Sequence, residues 1–529
     1  MKKSGCLLLF ILGLGIDFAK AQPQVLHPDS FKHYIDSFNK NDDELYKGSI
    51  PNEKSWSFLS ENIPFLDCPD KVLEETYYFR WWTFRKHIVK TPRGYIITEF
   101  LPKVAWSGKY NGISCPAAFH FYEGRWLHDR KYLNQYAHYW FGGGGEPRAY
   151  SFWAADAIYN FCLISNDFSL AKTLLPGLVK NYSEWEKSNL DSTGLFWQSD
   201  DRDGMEMSVC GEKYNGIGYR PTINSYMYGD ARAIAKIARL SNRMDLALAF
   251  EKKAQLVKDN LQQKLWDKNA VFYKVLPRGP KGVLCTAREL IGYTPWYFNL
   301  PDSGYSEAWK FLMDTAGFYA PYGPTTVEQR DPGFTLSYAG HECQWNGPSW
   351  PYATSITLTG LANLLNSSDQ KFINSKDYRT LLHVYAHSQK RIREDGKTVP
   401  WIDENLNPYT GDWISRTRLK TWKDSTWSPE AGGRERGKDY NHSTFCDLII
   451  SGLIGLRPGS GNTLVINPLV APEQWDYFCL DNIPYHGKII TVLYDRTGEK
   501  YRNGKGLSVY VNGKRSAALP VIGKMTVAF

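Results

Sequence analysis

Several signatures that would settle a mechanism at once are missing from this sequence. There is no G-x-S-x-G to set a nucleophilic serine on a sharp turn, and no H-E-x-x-H to place two zinc-binding imidazoles on one helix face. Four glycines at 142–145 precede a helix but lack the Lys-Ser/Thr that a phosphate-cradling loop requires. No C-x-x-C pair occurs, which removes the usual zinc and redox motifs. No dense Lys/Arg run alternates with aromatics, and the net charge of +8 is spread over 529 residues, so nucleic acid is a poor partner. Beyond the N-terminus no apolar run is long enough to span a bilayer.

What is present begins with the N-terminus. Lys2 and Lys3 precede an apolar run from Cys6 to Ile16, and Ala19-Lys20-Ala21 offers a small-residue cleavage site. This pattern predicts a secretory signal peptide over 1–21 and an exported protein, periplasmic or extracellular, with no membrane span. Cys6 opens the apolar run rather than following it, unlike a lipoprotein acylation site. Export permits disulfides. Eight cysteines remain: Cys68, Cys115, Cys162, Cys210, Cys285, Cys343, Cys446 and Cys479. Their irregular spacing leaves room for one or two bridges, and Cys162 and Cys446 read as small buried hydrophobes.

A chain this long is expected to hold more than one domain. Residues 22–70 are polar and Pro-containing, and read as an N-terminal segment laid over a larger body. From 71 to 456 roughly a dozen helices recur. They are predicted over 72–88, 125–140, 148–165, 169–187, 222–240, 244–266, 288–298, 306–315, 348–365, 376–394 and 442–456. Phe250, Ala254, Val257, Leu261 and Leu265 fall on one stripe of the 244–266 helix. Short turns alternate with long Gly/Pro/aromatic loops, the asymmetry that a closed ring of helical hairpins produces. After Leu456 the pattern turns to short period-2 runs with an Asn512-Gly513 hairpin signal, predicting a small β-sandwich over 457–529.

Three long loops each couple carboxylates to tryptophans beside a helix. The first, within GLFWQSDDRDGMEMS, packs Asp200, Asp201, Asp203 and Glu206 beside Trp197 and Met205. The second, GHECQWNGPSWPYATS, brings Glu342, Gln344, Trp345, Asn346 and Trp350 to a helix start. The third, VPWIDENLNPYTGDW, sets Asp403 and Glu404 between Trp401 and Trp413. A single loop of this kind is an ordinary solvated turn, whereas three at hairpin spacing predict one pocket. Glycoside cleavage fits that supply. It needs one carboxyl kept protonated for the leaving oxygen and a second, charged one to activate water or attack the sugar. Flanking aromatics desolvate the acid and stack on the ring. The 19 Trp and 34 Tyr exceed what a core requires. This chemistry calls for no metal and no cofactor, only a carbohydrate substrate; the oligomeric state is left open.

At these residues the chain resembles glycoside hydrolase family 63 and the mannosylglycerate hydrolase-like glycosidases. ENLNPYTGDW is similar to that group's E-N-Y-D-P-x-T-G segment and QWNGPSWPYATS to its W-R-G-P-x-W-P motif. FWQSDDRDGMEMS stands where the group carries W-x-S-G-x-D-x-S-P-R. The resemblance, covering about 70–456, implies a mainly α (α/α)6 toroid with the β-sandwich appended, and inverting hydrolysis. It implies Glu404 as general base and an Asp of the first loop as general acid, Asp203 fitting best and Asp201 next. Trp197, Glu206, Gln344, Trp345, Asn346, Trp350 and Trp401 are expected to shape the subsite, with Arg220 reaching a carboxylate of loop or substrate. For Glu206 a sugar hydroxyl and a salt bridge to Arg202 or Arg220 both stand. An α-L-rhamnosidase-like specificity, a polysaccharide lyase and a non-catalytic glycan-binding protein are the alternatives.

Overall fold

The computed structural model describes residues 25–212, 216–279, 282–339, 343–418 and 433–528. The expected signal peptide and Glu342 lie outside them. The body is built from helical hairpins whose two members differ in burial. Pro221–Leu240 is buried almost all round, whereas Met244–Lys264 buries only the stripe Ala247, Phe250, Ala254, Val257 and Leu261. A helix apolar on every side belongs inside a ring, and one with a single stripe belongs outside it. The same contrast separates Ala117–Gly124 from Lys131–His138, Ala154–Ser165 from Ser169–Asn189, and Pro351–Ser367 from Ser375–Ser388. Proline at the first position starts both Pro221–Leu240 and Pro351–Ser367, where its missing N–H costs nothing.

Some expected helices are shorter or tighter than the periodicity implied. The 125–140 helix is Lys131–His138 followed by a π turn, Tyr139–Gly143, that ends where Gly144 turns left-handed at φ 105°. Over 288–298 a 3-10 turn, Leu290–Tyr293, precedes the short helix Thr294–Tyr297. Gly292 is required there, since a Cβ would meet Phe272 Cε1 at 2.3 Å. Ser303–Phe311 is entirely 3-10, and the last expected helix contains a π turn over Leu448–Leu453. The start of that segment is held by the Glu123 carboxylate, which accepts from the backbone N–H groups of Phe445, Cys446 and Asp447. An anion at a helix N-terminus satisfies donors the helix leaves unpaired.

The C-terminal strands form two sheets. One has the order Phe65–Asp67, Tyr477–Tyr485, Lys488–Asp495, Gly506–Val511, Lys514–Leu519, and the other joins Leu456–Arg457, Thr463–Ile466 and Met525–Ala528. Asn512 and Gly513 both take positive φ, 49° and 78°, in the two-residue hairpin anticipated from sequence. The 22–70 segment does more than lie across the body. Phe65–Asp67 pairs antiparallel with Cys479–Asp481, and Asp481 accepts from the backbone N–H groups of Val25 and Leu26 at 2.6 and 2.8 Å. His486 of the sheet meets the end of Ala154–Ser165, its backbone N–H and Nε2 bonding the Ile164 and Leu163 carbonyls. One hydrophobic core runs from the helices into these sheets. Among the described residues no helix is long and apolar enough to cross a membrane.

A disulfide joins Cys210 to Cys285 across 75 positions. Closing a loop that long restricts the unfolded chain. Replacing both cysteines by serine is expected to lower stability by about 2–4 kcal/mol in denaturant unfolding. An unchanged midpoint would show that the bridge constrains nothing.

Candidate active site

The acidic loop leaves and returns through paired backbone, Trp197–Ser199 running antiparallel to Ile217–Tyr219. Between them the carboxylates separate into different environments. Asp200 serves the turn itself: Oδ1 accepts from the Asp201 N–H, and its carbonyl accepts from Asp203 and Met205. Asp201 and Arg202 face solvent, 3.7 Å apart. Asp203 is 0% exposed. Its Oδ2 accepts from Arg220 Nε at 2.9 Å and from the Thr222 hydroxyl, and its Oδ1 accepts from Ser151. Both oxygens are thus occupied inside the protein. Gly204 then reverses the chain at φ 70°, against Cys115, whose Sγ would lie 2.6 Å from an added Cβ. Two residues on, Glu206 emerges into a cavity.

That cavity, about 240 Å³, is lined by Glu99, Phe100, Trp106, Tyr150, Glu206, Trp350, Glu404, Arg436 and Tyr440 among others. The three loops predicted to share one face are hydrogen-bonded into it. The Trp345 N–H donates to the Glu206 carbonyl at 3.1 Å, and Ser349 and Leu406 exchange both backbone bonds at 3.0 Å. Glu404 is placed from below by Asp403, whose Oδ1 accepts from the Glu404 N–H and the Ser415 hydroxyl at 2.8 and 2.9 Å.

The electrostatics differ sharply within this small space. Glu404, 1% exposed, is ion-paired with Arg436. The guanidinium of Arg436 sits 5.6 and 5.5 Å from the Phe100 and Trp106 rings. Burial, reinforced by the charge of Glu404, pushes the Glu206 carboxyl up to about 8. Burial also raises Glu99 to about 8, with Glu404 adding to the shift and the Tyr440 hydrogen bond and Arg436 opposing it. One carboxylate has the cation, and two carboxyls hold protons at neutral pH.

The remaining expected site residues are placed as follows. Trp350 lines the cavity, its indole donating to the Gln344 carbonyl at 2.8 Å. Trp345 stacks behind Trp350 at 4.6 Å, Gln344 donates to the Ala339 carbonyl, and the Asn346 carbonyl accepts from Thr335; none of the three lines the cavity. Trp197 lies under Arg278 at 4.4 Å. Trp401 lines a separate, larger cavity of about 630 Å³ and packs under Arg391 at 4.1 Å. Arg220 reaches a loop carboxylate, that of Asp203. Glu206 has neither of the salt bridges weighed for it, since Arg220 pairs with Asp203 and Arg202 with Asp201.

Sequence reasoning missed Glu99, Trp106, Arg436 and Tyr440. A lone carboxylate ending the apolar run GYIITEF was a signal for Glu99. A second signal lay in the first loop. GMEMS at 204–208 has the spacing of the G-x-D-x-S part of the group's motif, with four residues, Asp200 to Asp203, added before it. Aligned this way, Glu206 falls at the position of that motif's Asp.

Residues 109–443 match a family described as the mannosylglycerate hydrolase MGH1-like glycoside hydrolase domain. The chain belongs to this MGH1-like glycoside hydrolase family. Residues 456–517 match the C-terminal domain of glycosyl hydrolase family 65. Among solved structures, one titled "Sialidase" is 39% identical over 96% of this chain, with a TM-score of 0.87. This chain spans 45% of that protein's length. A family 78 rhamnosidase of a Bacillus species is 10% identical over 87% of this chain and 42% of its own, TM-score 0.53, a likeness of fold. The family 63 mannosylglycerate hydrolase of Thermus thermophilus is 14% identical over 66% of this chain and 100% of its own, TM-score 0.48. The family match and the helical hairpins together establish the MGH1-like glycoside hydrolase fold, a helical toroid with a small strand-rich domain at its C-terminal end.

The burial of Asp203 gives a direct prediction. Asp203→Asn leaves Arg220 buried without its counter-charge and is expected to cost about 3–5 kcal/mol of stability. Asp201→Asn should stay within about 0.5 kcal/mol. Denaturant unfolding measures both, and an inactive but fully stable Asp203→Asn would instead place that residue in the chemistry.

Proposed function

We propose that the chain is an exported glycosidase that removes a terminal sugar with inversion, Glu206 acting as general acid and Glu404 as general base. The observation that carries this reading is the pairing, in one cavity, of a proton-holding Glu206 with an Arg436-paired Glu404. An inverting hydrolase needs that split. Glu206 gives its proton to the glycosidic oxygen as the bond breaks. Glu404 takes a proton from the water attacking the opposite face of the ring, and the two carboxyls stand about 6.5–9.5 Å apart when water is accommodated. Asp203 supports the acid's loop from behind. Trp106, 43% exposed at the cavity, offers the aromatic face on which a sugar stacks. The cavity lies below the ~300–1,000 Å³ of drug-sized sites, which favours one ring over a long glycan. The Cys210–Cys285 bridge supports export, since such bonds persist in oxidising compartments.

A lyase would need a Tyr or His base and a free cation for a substrate carboxylate. Here Tyr440 is hydrogen-bonded to Glu99, burial holds His442 well below the usual imidazole range, and Arg436 is paired with Glu404. The site favours hydrolysis.

A panel of p-nitrophenyl glycosides that includes α-mannoside, α-glucoside and α-L-rhamnoside tests the reading and names the sugar. Product anomers followed by proton NMR should be inverted. Glu206→Gln and Glu404→Gln are each expected to lower kcat by about 10²–10⁴-fold. A dinitrophenyl leaving group, which needs no protonation, should rescue Glu206→Gln and not Glu404→Gln. Retention of configuration, or equal rescue of both, would refute the assignment. With wild type, activity should fall as pH rises through about 8, where Glu206 loses its proton. A rate independent of pH from 7 to 10 would contradict the role given to Glu206.

A further inference from the structure

The cavity holds a third carboxyl that inverting hydrolysis does not use. Glu99 is buried on the cavity wall, and Tyr440 donates to its Oε1 at 2.5 Å. Its backbone is fixed as firmly as its side chain. The Glu99 carbonyl accepts from the Asn441 N–H at 3.1 Å, and the Asn441 side chain donates to the Thr98 carbonyl at 3.2 Å. The anchoring tyrosine is itself wedged between Phe100, at 4.6 Å, and His442, at 4.0 Å. Glu99 precedes the stretch 109–443 that matches the family, so the match assigns it no part.

We propose that Glu99 is a third working carboxyl of the site: Tyr440 fixes one of its oxygens, and the other binds a ring hydroxyl of the sugar held against Glu404. This rests on the glycosidase reading above. A neutral carboxyl both donates and accepts, so it matches a sugar hydroxyl, which does the same. Its charged form would be costly here. Facing Glu99 are Glu404, Arg436, Tyr440, Cys115, Tyr150 and Tyr136. The one cation among them is already engaged by Glu404, so a second negative charge on this wall would be only partly compensated. Ionisation of Glu99 therefore loosens the sugar at the same pH at which Glu206 ceases to be an acid. The alkaline loss of activity should then follow two protons.

The test is kcat and KM from pH 5 to 10 for wild type, Glu99→Gln, Glu99→Ala and Glu206→Gln, on the p-nitrophenyl glycoside that wild type turns over fastest. Glutamine keeps a donor and an acceptor but cannot ionise. Glu99→Gln is expected to raise KM about threefold at pH 7 and to change the alkaline slope of log kcat/KM from 2 to 1. Glu99→Ala, which loses the contact, should raise KM about thirtyfold with kcat much less affected. The proposal is overturned if both Glu99 variants keep the wild-type KM and slope, or if both lose kcat equally with KM unchanged. Full activity of Glu206→Gln would sink the acid assignment while leaving the Glu99 result to stand on its own. If wild type cleaves none of the glycosides, both readings fall.

Discussion

The pairing of one guanidinium, that of Arg436, with one of three carboxyls on a common cavity governs this site. Arg436 is committed to Glu404, which fixes that group as a carboxylate. Among the described residues Glu206 and Glu99 have no such partner, and removing a carboxyl from water without compensation favours its neutral form. The negative charge held at Glu404 adds to that preference at both neighbours. In the proposed mechanism acid and base are thus distinguished by one ion pair rather than by any difference in residue type, since all three groups are glutamates.

The fold supplies the dry surroundings that make this distinction effective. Three loops from distant hairpins are hydrogen-bonded through Trp345 to Glu206 and through Ser349 to Leu406. The first two precede the buried inner helices Pro221–Leu240 and Pro351–Ser367, and the third precedes the short helix Ile414–Arg418. The Asp203–Arg220 pair, fully buried beside the first of these helices, ties the acidic loop to the ring. Both oxygens of Asp203 are engaged in that tie, and the carboxyl proposed as the acid lies three residues later. The Cys210–Cys285 bond secures the loop farther along.

Much of the architecture was legible in the sequence, because helical stripes, proline starts and the Asn512-Gly513 turn depend on local chemistry. The convergence of three loops followed from hairpin spacing, and Glu404 from a motif that local sequence carries. The role within the acidic loop was not legible in the same way. Four carboxylates in seven residues look alike until their partners are known, and Asp203 meets Arg220 17 positions away through a left-handed turn at Gly204. Tryptophan gave a similar ambiguity. Trp197, Trp345 and Trp401 pack under or against other groups, while the exposed Trp106 sat in a segment with no acidic neighbour but Glu99. The 22–70 segment read only as one laid over a larger body, since a three-residue strand pairing across more than four hundred positions leaves no periodic trace.

The charge split in the cavity is measurable without any substrate. Carboxyl resonances of protein labelled with carbon-13 in its glutamate side chains, titrated from pH 4 to 10, should include one that moves near pH 8 in wild type and vanishes in Glu206→Gln. A Glu206 resonance that titrates in the ordinary range near 4 would mean the group is charged at neutral pH, and the account of this site would be wrong.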